Sequence, residues 1–284
     1  MAQFKNYDDI GVSAEAHVAT IEIQRPPHNF FDYSLIQQIA DAMETIDDDN
    51  NLRCVVLCAQ GKSFCAGANF GSDGSTANRS QENSPTDKSS HLYVEAVRLF
   101  ATKTPIVGAI QGAAIGGGLG LSLVPDFRVA CPESRFAANF TRLGFHPGFG
   151  LTHTLPALIG NQRATLMFYT SRRIKGEEAY DWGLADMLVP LEEVRSAAIE
   201  LAKEIAENSP LGVMETRATM RQGLAERVRN TTDHELIVQD KLRQTDDFKE
   251  GVKAVAERRV PNFKGSKRNK RVKFKFEYSI IAAE

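Results

Sequence analysis

The chain has 284 residues, of which 42% are hydrophobic and 25% are charged, which is the composition of an ordinary globular protein. The net charge of −2 provides no overall field that would favour nucleic acid or an anionic membrane. No apolar run reaches the length of a membrane span, and the N-terminus has no apolar signal core. We therefore expect a cytoplasmic protein without membrane contact.

Strands alternate with helices in the first half of the chain, which predicts an α/β domain. Residues 18–23 alternate as a strand does, and Asp32 can cap a helix over residues 33–46. The apolar residues of that helix recur at steps of three and four. The continuous apolar run at residues 53–59 predicts a strand that is covered on both faces.

The cysteines have neither the spacing of a metal site nor that of a disulfide framework. We interpret them as buried thiols and predict no bound metal. The sequence also contains no nicotinamide or flavin motif, so we expect no such cofactor. The four cysteines are Cys54, Cys58, Cys65 and Cys131.

A glycine-rich stretch lies at the centre of the chain. Residues 105–110 predict a buried strand, Gly116 to Gly118 are consecutive glycines, and residues 119–124 predict a buried helix. Glycines at such a junction let backbone N–H groups approach a ligand, and a helix start adds unpaired donors. The junction suits an oxygen that becomes negative during a reaction. A tight turn that only packs the helix on the strand is the alternative.

Two loops flank this stretch. Residues 71–90 are rich in serine, glycine, asparagine and aspartate, and their length predicts a substrate lid. Residues 136–150 are irregular and punctuated by glycines, which predicts a loop that lines a site.

The C-terminal part is helical in pattern from residue 191 onward. We divide the chain into an α/β core at residues 1–195, a helical region at residues 196–263 and a basic tail at residues 264–284. We interpret the tail as a solvated segment, and contact with an anionic partner such as RNA is the alternative.

Several segments resemble the enoyl-CoA hydratase/isomerase (crotonase) superfamily. Phe64-Cys65-Ala66-Gly67-Ala68 is followed about fifty residues later by Gly-Ala-Ala-Ile-Gly-Gly-Gly at residues 112–118. The similarity continues in residues 179–186 and 247–263, and it covers the chain in order from about residue 5.

The resemblance implies an α/β fold of repeated ββα units arranged as a superhelix, with a helical C-terminal region that mediates trimers. It also implies a homotrimer or a hexamer that acts on an acyl-CoA in fatty acid metabolism. CoA would then be part of the substrate, and no separate cofactor is expected.

The resemblance also assigns roles to particular residues. The backbone N–H groups of Ala68 and Gly117 would form an oxyanion hole that holds the thioester oxygen. The positions expected to line the substrate are Ala66, Gly67, Gly116 and Phe140.

The sequence departs from the family pattern at the acids. Hydratases carry two glutamates that hold the water, and Gly120 and Phe140 stand at those positions. Isomerases usually retain an acid at the second position or eight residues later, where this chain has Gly148. None of these residues transfers a proton. His146, in the same loop, is our candidate proton carrier, and a histidine that merely packs beside Pro147 is the alternative.

The leading functional hypothesis is a lyase or isomerase that stabilises a thioester enolate without the usual glutamate pair. Because Gly120 and Phe140 predict an apolar wall, an isomerase or carbon–carbon hydrolase acting on a bulky acyl group is an alternative. A non-catalytic subunit that binds acyl-CoA is another.

Overall fold

The structure is a computed structural model that describes residues 4–69 and 91–265. The predicted lid at residues 71–90 and the basic tail beyond residue 265 lie outside the described residues.

Strands in the described part form two sheets. The strands are β1 (Ile10–Glu15), β2 (Val18–Ile23), β3 (Cys54–Ala59), β4 (Ile106–Ile110), β5 (Ala113–Ile115), β6 (Phe127–Ala130), β7 (Arg135–Ala137), β8 (Arg173–Lys175) and β9 (Met187–Leu188). A six-stranded sheet has the order β1-β2-β3-β4-β6-β9, and a three-stranded sheet has the order β5-β7-β8.

Helices connect the strands and form the C-terminal part. Short 3₁₀ turns occupy Thr141–Leu143 and Leu191–Glu193. The helices are α1 (Tyr33–Asp47), α2 (Leu92–Phe100), α3 (Gly117–Ser122), α4 (Leu151–Ile159), α5 (Asn161–Thr170), α6 (Gly176–Asp181), α7 (Val194–Ala206), α8 (Pro210–Met220), α9 (Leu224–Arg243) and α10 (Asp246–Ala256).

A ββα unit recurs along the chain, as the fold class predicts. β4 belongs to the large sheet, β5 belongs to the small sheet, and α3 follows them. β6, β7 and α4 repeat this order. Because β4 pairs with β6 and β5 pairs with β7, both in parallel, successive units stack side by side.

The large sheet is covered on both faces, as the apolar run of β3 predicts. Val55 and Leu57 of β3 belong to the main core with α1 and α2, whereas Val56 points to the opposite face. There it packs with Ala198 and Ala202 of α7. This alternation follows from the two-residue period of a strand. The predicted boundary between residues 195 and 196 falls inside α7, and the division into domains stays a prediction.

The glycine junction differs in detail from the sequence prediction. α3 begins at Gly117 rather than at residue 119, because Gly116 has φ 58° and ψ −121°, a conformation that ends β5 and that a side chain disfavours. The region 136–150 is also not entirely loop, since β7 and a 3₁₀ turn lie in or overlap it. Strands of three residues give no readable period, so the sequence did not reveal β5 and β7.

Candidate active site

The segment at residues 64–68 lies alongside β5, although about fifty residues separate the two in sequence. The N–H of Cys65 donates to the carbonyl of Ala113 at 2.9 Å, and the N–H of Ile115 donates to the carbonyl of Cys65 at 3.0 Å. Cys65 and Ala114 form a parallel bridge. These bonds bring the end of the segment, Ala68, to the start of α3.

Glycines permit this close approach. Gly67 has φ +86°, and a Cβ there would lie 2.7 Å from the carbonyl oxygen of Ile115 and 3.9 Å from the nitrogen of Gly117. A Cβ on Gly118 would lie 2.0 Å from the carbonyl oxygen of Cys65. Any side chain at these two positions would therefore separate the two backbone segments.

Two backbone donors at this junction are free. Within residues 4–69 and 91–265, neither the N–H of Ala68 nor that of Gly117 donates to an acceptor. By contrast, the N–H of Gly116 donates to the carbonyl of Ala137 at 2.8 Å. Gly117 is the first residue of α3, so its N–H has no partner within the helix. Two such donors can bind one oxygen that gains negative charge.

The residues predicted to line the substrate lie around these donors. Ala66 is held by its own N–H, which donates to the carbonyl of His28 at 2.9 Å. The carbonyl of Gly67 accepts from the N–H of Phe31 at 3.1 Å. The ring of Phe140 comes within 3.9 Å of the point where a Cβ on Gly116 would lie. Their contact with a substrate stays a prediction.

Aromatic and polar side chains fill the space at two positions where the family carries acids. A Cβ on Gly120 would lie 2.7 Å from both Cβ and Cδ1 of Phe149. A Cβ on Gly148 would lie 1.8 Å from the Tyr93 hydroxyl and 2.4 Å from Nε2 of Gln239. The glycine at residue 120 therefore does not enlarge the site, and the bulky-acyl alternative gains no support from it.

Phe149 adopts an unusual backbone conformation. Its φ is +64°, which costs a bulky residue about 1–3 kcal/mol. Its side chain is 1% exposed, and its ring meets that of Phe31 edge to face at a centroid distance of 5.9 Å. No sequence pattern marks this role, because the packing of Phe149 against Gly120 exists only in the folded chain.

His146, the predicted proton carrier, contacts α9 rather than the free donors. Its Nδ1 lies 2.7 Å from the carbonyl oxygen of Pro147, so Nδ1 carries the proton and Nε2 is the acceptor. Its ring centroid lies 6.4 Å from that of His234. Burial is the main cause that lowers the pKa of His146; the hydrogen bond to Pro147 opposes it, and the nearby His234 lowers the pKa further. The imidazole is therefore neutral at pH 7 and able to accept a proton. Its catalytic role stays a prediction.

Glu235 of α9 is a fully buried carboxylate at the start of α4. Its Oε2 accepts from the N–H of Gly150 at 2.8 Å, and its Oε1 accepts from the N–H and hydroxyl of Thr152 at 3.0 and 2.7 Å. Burial outweighs these bonds and raises the pKa of Glu235 from about 4.5 to about 7. No sequence pattern marks Glu235, because it is one of many charged residues in a long polar helix.

We expect Glu235 to make the stability of the protein fall as pH rises. Between pH 4.5 and 7 the folded state holds a proton that the unfolded state releases, so the group's contribution is fully present below pH 4.5 and lost by about pH 7. The shift from 4.5 to about 7 corresponds to about 3 kcal/mol. Urea unfolding at several pH values gives the free energy of unfolding of the protein and of Glu235→Gln. The difference between these two free energies should change by this amount between pH 4.5 and 7. A pH-independent difference would contradict the assignment.

The other sequence predictions concern the cysteines, metal binding and membrane contact. All four cysteines are buried and free, and burial raises the pKa of Cys54 to about 12, which makes it a poor nucleophile. The residues that the structure describes contain no group of three or more His, Cys, Asp or Glu able to hold a metal. None of the described helices is both long enough and apolar enough to cross a membrane.

The chain is similar to known proteins over nearly its whole length. A family model described as enoyl-CoA hydratase/isomerase matches residues 13–267. The crotonyl-CoA hydratase of Syntrophomonas wolfei is 29% identical, over 90% of this chain and 98% of that protein. The 1,2-epoxyphenylacetyl-CoA isomerase of Escherichia coli is 27% identical, over 88% of this chain and 96% of that protein. The crystal structure of an enoyl-CoA hydratase/isomerase from Pseudoalteromonas atlantica superposes with a TM-score of 0.80 at 27% identity, over 90% of this chain and 100% of that one.

Proposed function

The chain belongs to the enoyl-CoA hydratase/isomerase family, and from that premise we propose that it holds an acyl-CoA thioester as an enolate between the N–H groups of Ala68 and Gly117. The observation that carries the proposal is the pair of backbone donors that have no acceptor among the described residues. Gly67 and Gly118 let these donors approach each other, which a hole for a single oxygen requires.

We propose a proton shift rather than water addition as the reaction. The two-glutamate hydratase mechanism needs carboxylates at residues 120 and 140, which are glycine and phenylalanine here. Phe149 also packs against Gly120 and occupies the space where an acidic side chain at residue 120 would lie. In a double-bond shift, a base removes a proton from the α-carbon, the charge moves to the thioester oxygen, and the proton returns at the γ-carbon.

His146 is the proposed proton carrier, since its neutral imidazole presents Nε2 as a free base. The Tyr93 hydroxyl lies where a side chain at residue 148 would begin, but burial raises its pKa and keeps it protonated. Tyr93 can therefore donate a hydrogen bond, but it cannot remove a proton at neutral pH.

Paired substrates test the reaction. The purified protein should convert a 3-enoyl-CoA into the conjugated 2-enoyl-CoA, with a gain of conjugated absorbance, and should hydrate crotonyl-CoA slowly by comparison. His146→Ala should abolish the conversion, whereas His153→Ala, which changes another partly buried histidine outside the proposed mechanism, should not. Fast hydration of crotonyl-CoA would contradict the proton-shift proposal, and a fully active His146→Ala would remove His146 from it.

A non-catalytic acyl-CoA-binding subunit is the second candidate. It is favoured because residues 120, 140 and 148, where relatives carry acids, are glycine, phenylalanine and glycine here. It needs the oxyanion donors but no proton carrier. Calorimetry would then show acyl-CoA binding, and a broad mass-spectrometric screen of acyl-CoAs would show no product. Any product with turnover would exclude this candidate.

We also propose that the chain assembles as a homotrimer or a hexamer, as its resemblance to the family implies. A groove of about 1000 Å³ between α4, α7 and α8 supports self-association. Its rim carries the exposed apolar side chains of Phe127, Leu158 and Met220, which a partner subunit would cover. A cytoplasmic location stays a prediction.

A further inference from the structure

One face of α3 is covered by two aromatic rings. Gly117 and Gly120 are three residues apart and share this face. A Cβ on Gly117 would lie 2.1 Å from Cζ of Phe31, and one on Gly120 would lie 2.7 Å from Cβ of Phe149. The two rings touch each other edge to face. Phe149 therefore fills the space beside the helix turn that carries the Gly117 donor.

Side chains of α9 hold the backbone on both sides of Phe149. Before it, Nε2 of Gln239 donates to the carbonyl of His146 at 2.9 Å. After it, Glu235 accepts from the N–H of Gly150 at 2.8 Å.

Tyr93 of α2 supports the same segment. Its hydroxyl donates to Oε1 of Gln239 at 2.8 Å, and it also lies against Gly148 and the backbone of Phe149.

These contacts account for the positive φ of Phe149. A phenylalanine leaves this conformation unless its surroundings fix it, because Cβ crowds the following carbonyl. Here Gln239 holds the backbone three residues before Phe149, Glu235 holds the backbone immediately after it, and Tyr93 holds the Gln239 side chain in place. The result is a buried ring at the position where the family's hydratases carry a catalytic carboxylate.

We propose that Phe149 is a specificity-determining residue that closes the acyl site beside residue 120 and restricts the substrate to a short acyl chain, and that Tyr93, Glu235 and Gln239 are positioning residues for it. The ring is 1% exposed, so this face of α3 offers no room for further methylene groups. The specificity role rests on the proposed function, because it requires the thioester to lie at Ala68 and Gly117.

Removal of the ring should open this face to a longer chain. Calorimetry with butyryl-CoA and octanoyl-CoA gives the ratio of the two affinities, and we expect Phe149→Ala to shift it at least tenfold toward octanoyl-CoA, since each buried methylene adds to affinity. Phe168→Ala removes an equally large buried ring from α5 and should leave the ratio unchanged. An unchanged ratio in a folded Phe149→Ala protein would overturn the specificity role.

The positioning residues should alter the same ratio. Tyr93→Phe removes only the hydroxyl, and Gln239→Leu removes both of its hydrogen bonds while keeping an apolar side chain of similar size. Both variants should shift the ratio toward octanoyl-CoA, although Phe149 itself is intact. Lower thermal stability with an unchanged ratio would show a merely structural role and would overturn this part of the proposal.

A double-mutant cycle tests the packing without any substrate. Gly120→Ala should lower the melting temperature, because its Cβ meets Phe149. In the Phe149→Gly background the same change should raise it, because alanine favours the helix and the obstructing Cβ is gone. Equal effects in the two backgrounds would overturn the packing claim. If the unchanged protein bound no acyl-CoA while the cycle behaved as expected, the proposed function and the specificity role would fall, and the packing would stand.

Discussion

Ala68→Pro is expected to lower kcat/KM roughly 10²–10³-fold, equivalent to about 3–4 kcal/mol of transition-state stabilisation. Proline lacks the backbone N–H that Ala68 offers at the junction, so the thioester oxygen would lose one of the two donors proposed to bind it. The measurement is the steady-state rate with the best acyl-CoA substrate, together with a thermal melt that confirms folding.

Ala68→Gly is the matched control, since it removes the side chain and keeps the N–H. We expect its rate to stay within a few-fold of the unchanged protein. Affinity for a thioether analogue without the carbonyl should be equal in both variants and the unchanged protein, because such an analogue does not use the hole. An Ala68→Pro protein that folds and retains full activity would remove Ala68 from the mechanism.

Gly118→Ala is expected to be the most damaging of the substitutions that add a single methyl group at this site. Its Cβ would lie 2.0 Å from the carbonyl oxygen of Cys65, which belongs to rigid backbone. We expect a loss of about 1–3 kcal/mol in the free energy of unfolding, since overpacked groups must move apart. Activity should fall as well, because the movement changes the spacing between Ala68 and Gly117.

Gly212→Ala provides the comparison for this change. It lies in the first turn of α8, where a Cβ would come no closer than 3.5 Å to its nearest neighbour, the side chain of Ser209. The same substitution should therefore be neutral or stabilise the protein by up to about 1 kcal/mol. Urea unfolding of both variants checks the contrast, and equal effects would show that the approach of α3 to Cys65 is not tight.

Local signals in the sequence predicted much of the framework. Asp32 was predicted to cap α1, and its side chain accepts from the N–H of Leu35. The apolar run of β3 predicted burial on both faces, because each face of that strand meets a different helix layer. Such features depend on neighbours in the chain, so a sequence pattern can reveal them.

The candidate site was predictable only in part. The resemblance to the family marked Ala68 and Gly117, and their spacing depends on glycines that are visible in the sequence. Phe149 and Glu235 could not be found in this way. Each acquires its role from a contact between distant parts of the chain, Phe149 with Gly120 and Glu235 with Gly150, and no local pattern records such contacts.

A crystal structure of the protein with a bound acyl-CoA ketone analogue tests the oxyanion hole most directly. We expect the carbonyl oxygen to lie about 2.7–3.1 Å from the backbone nitrogens of both Ala68 and Gly117. A carbonyl oxygen bound by side chains elsewhere, with both N–H groups still free, would contradict it.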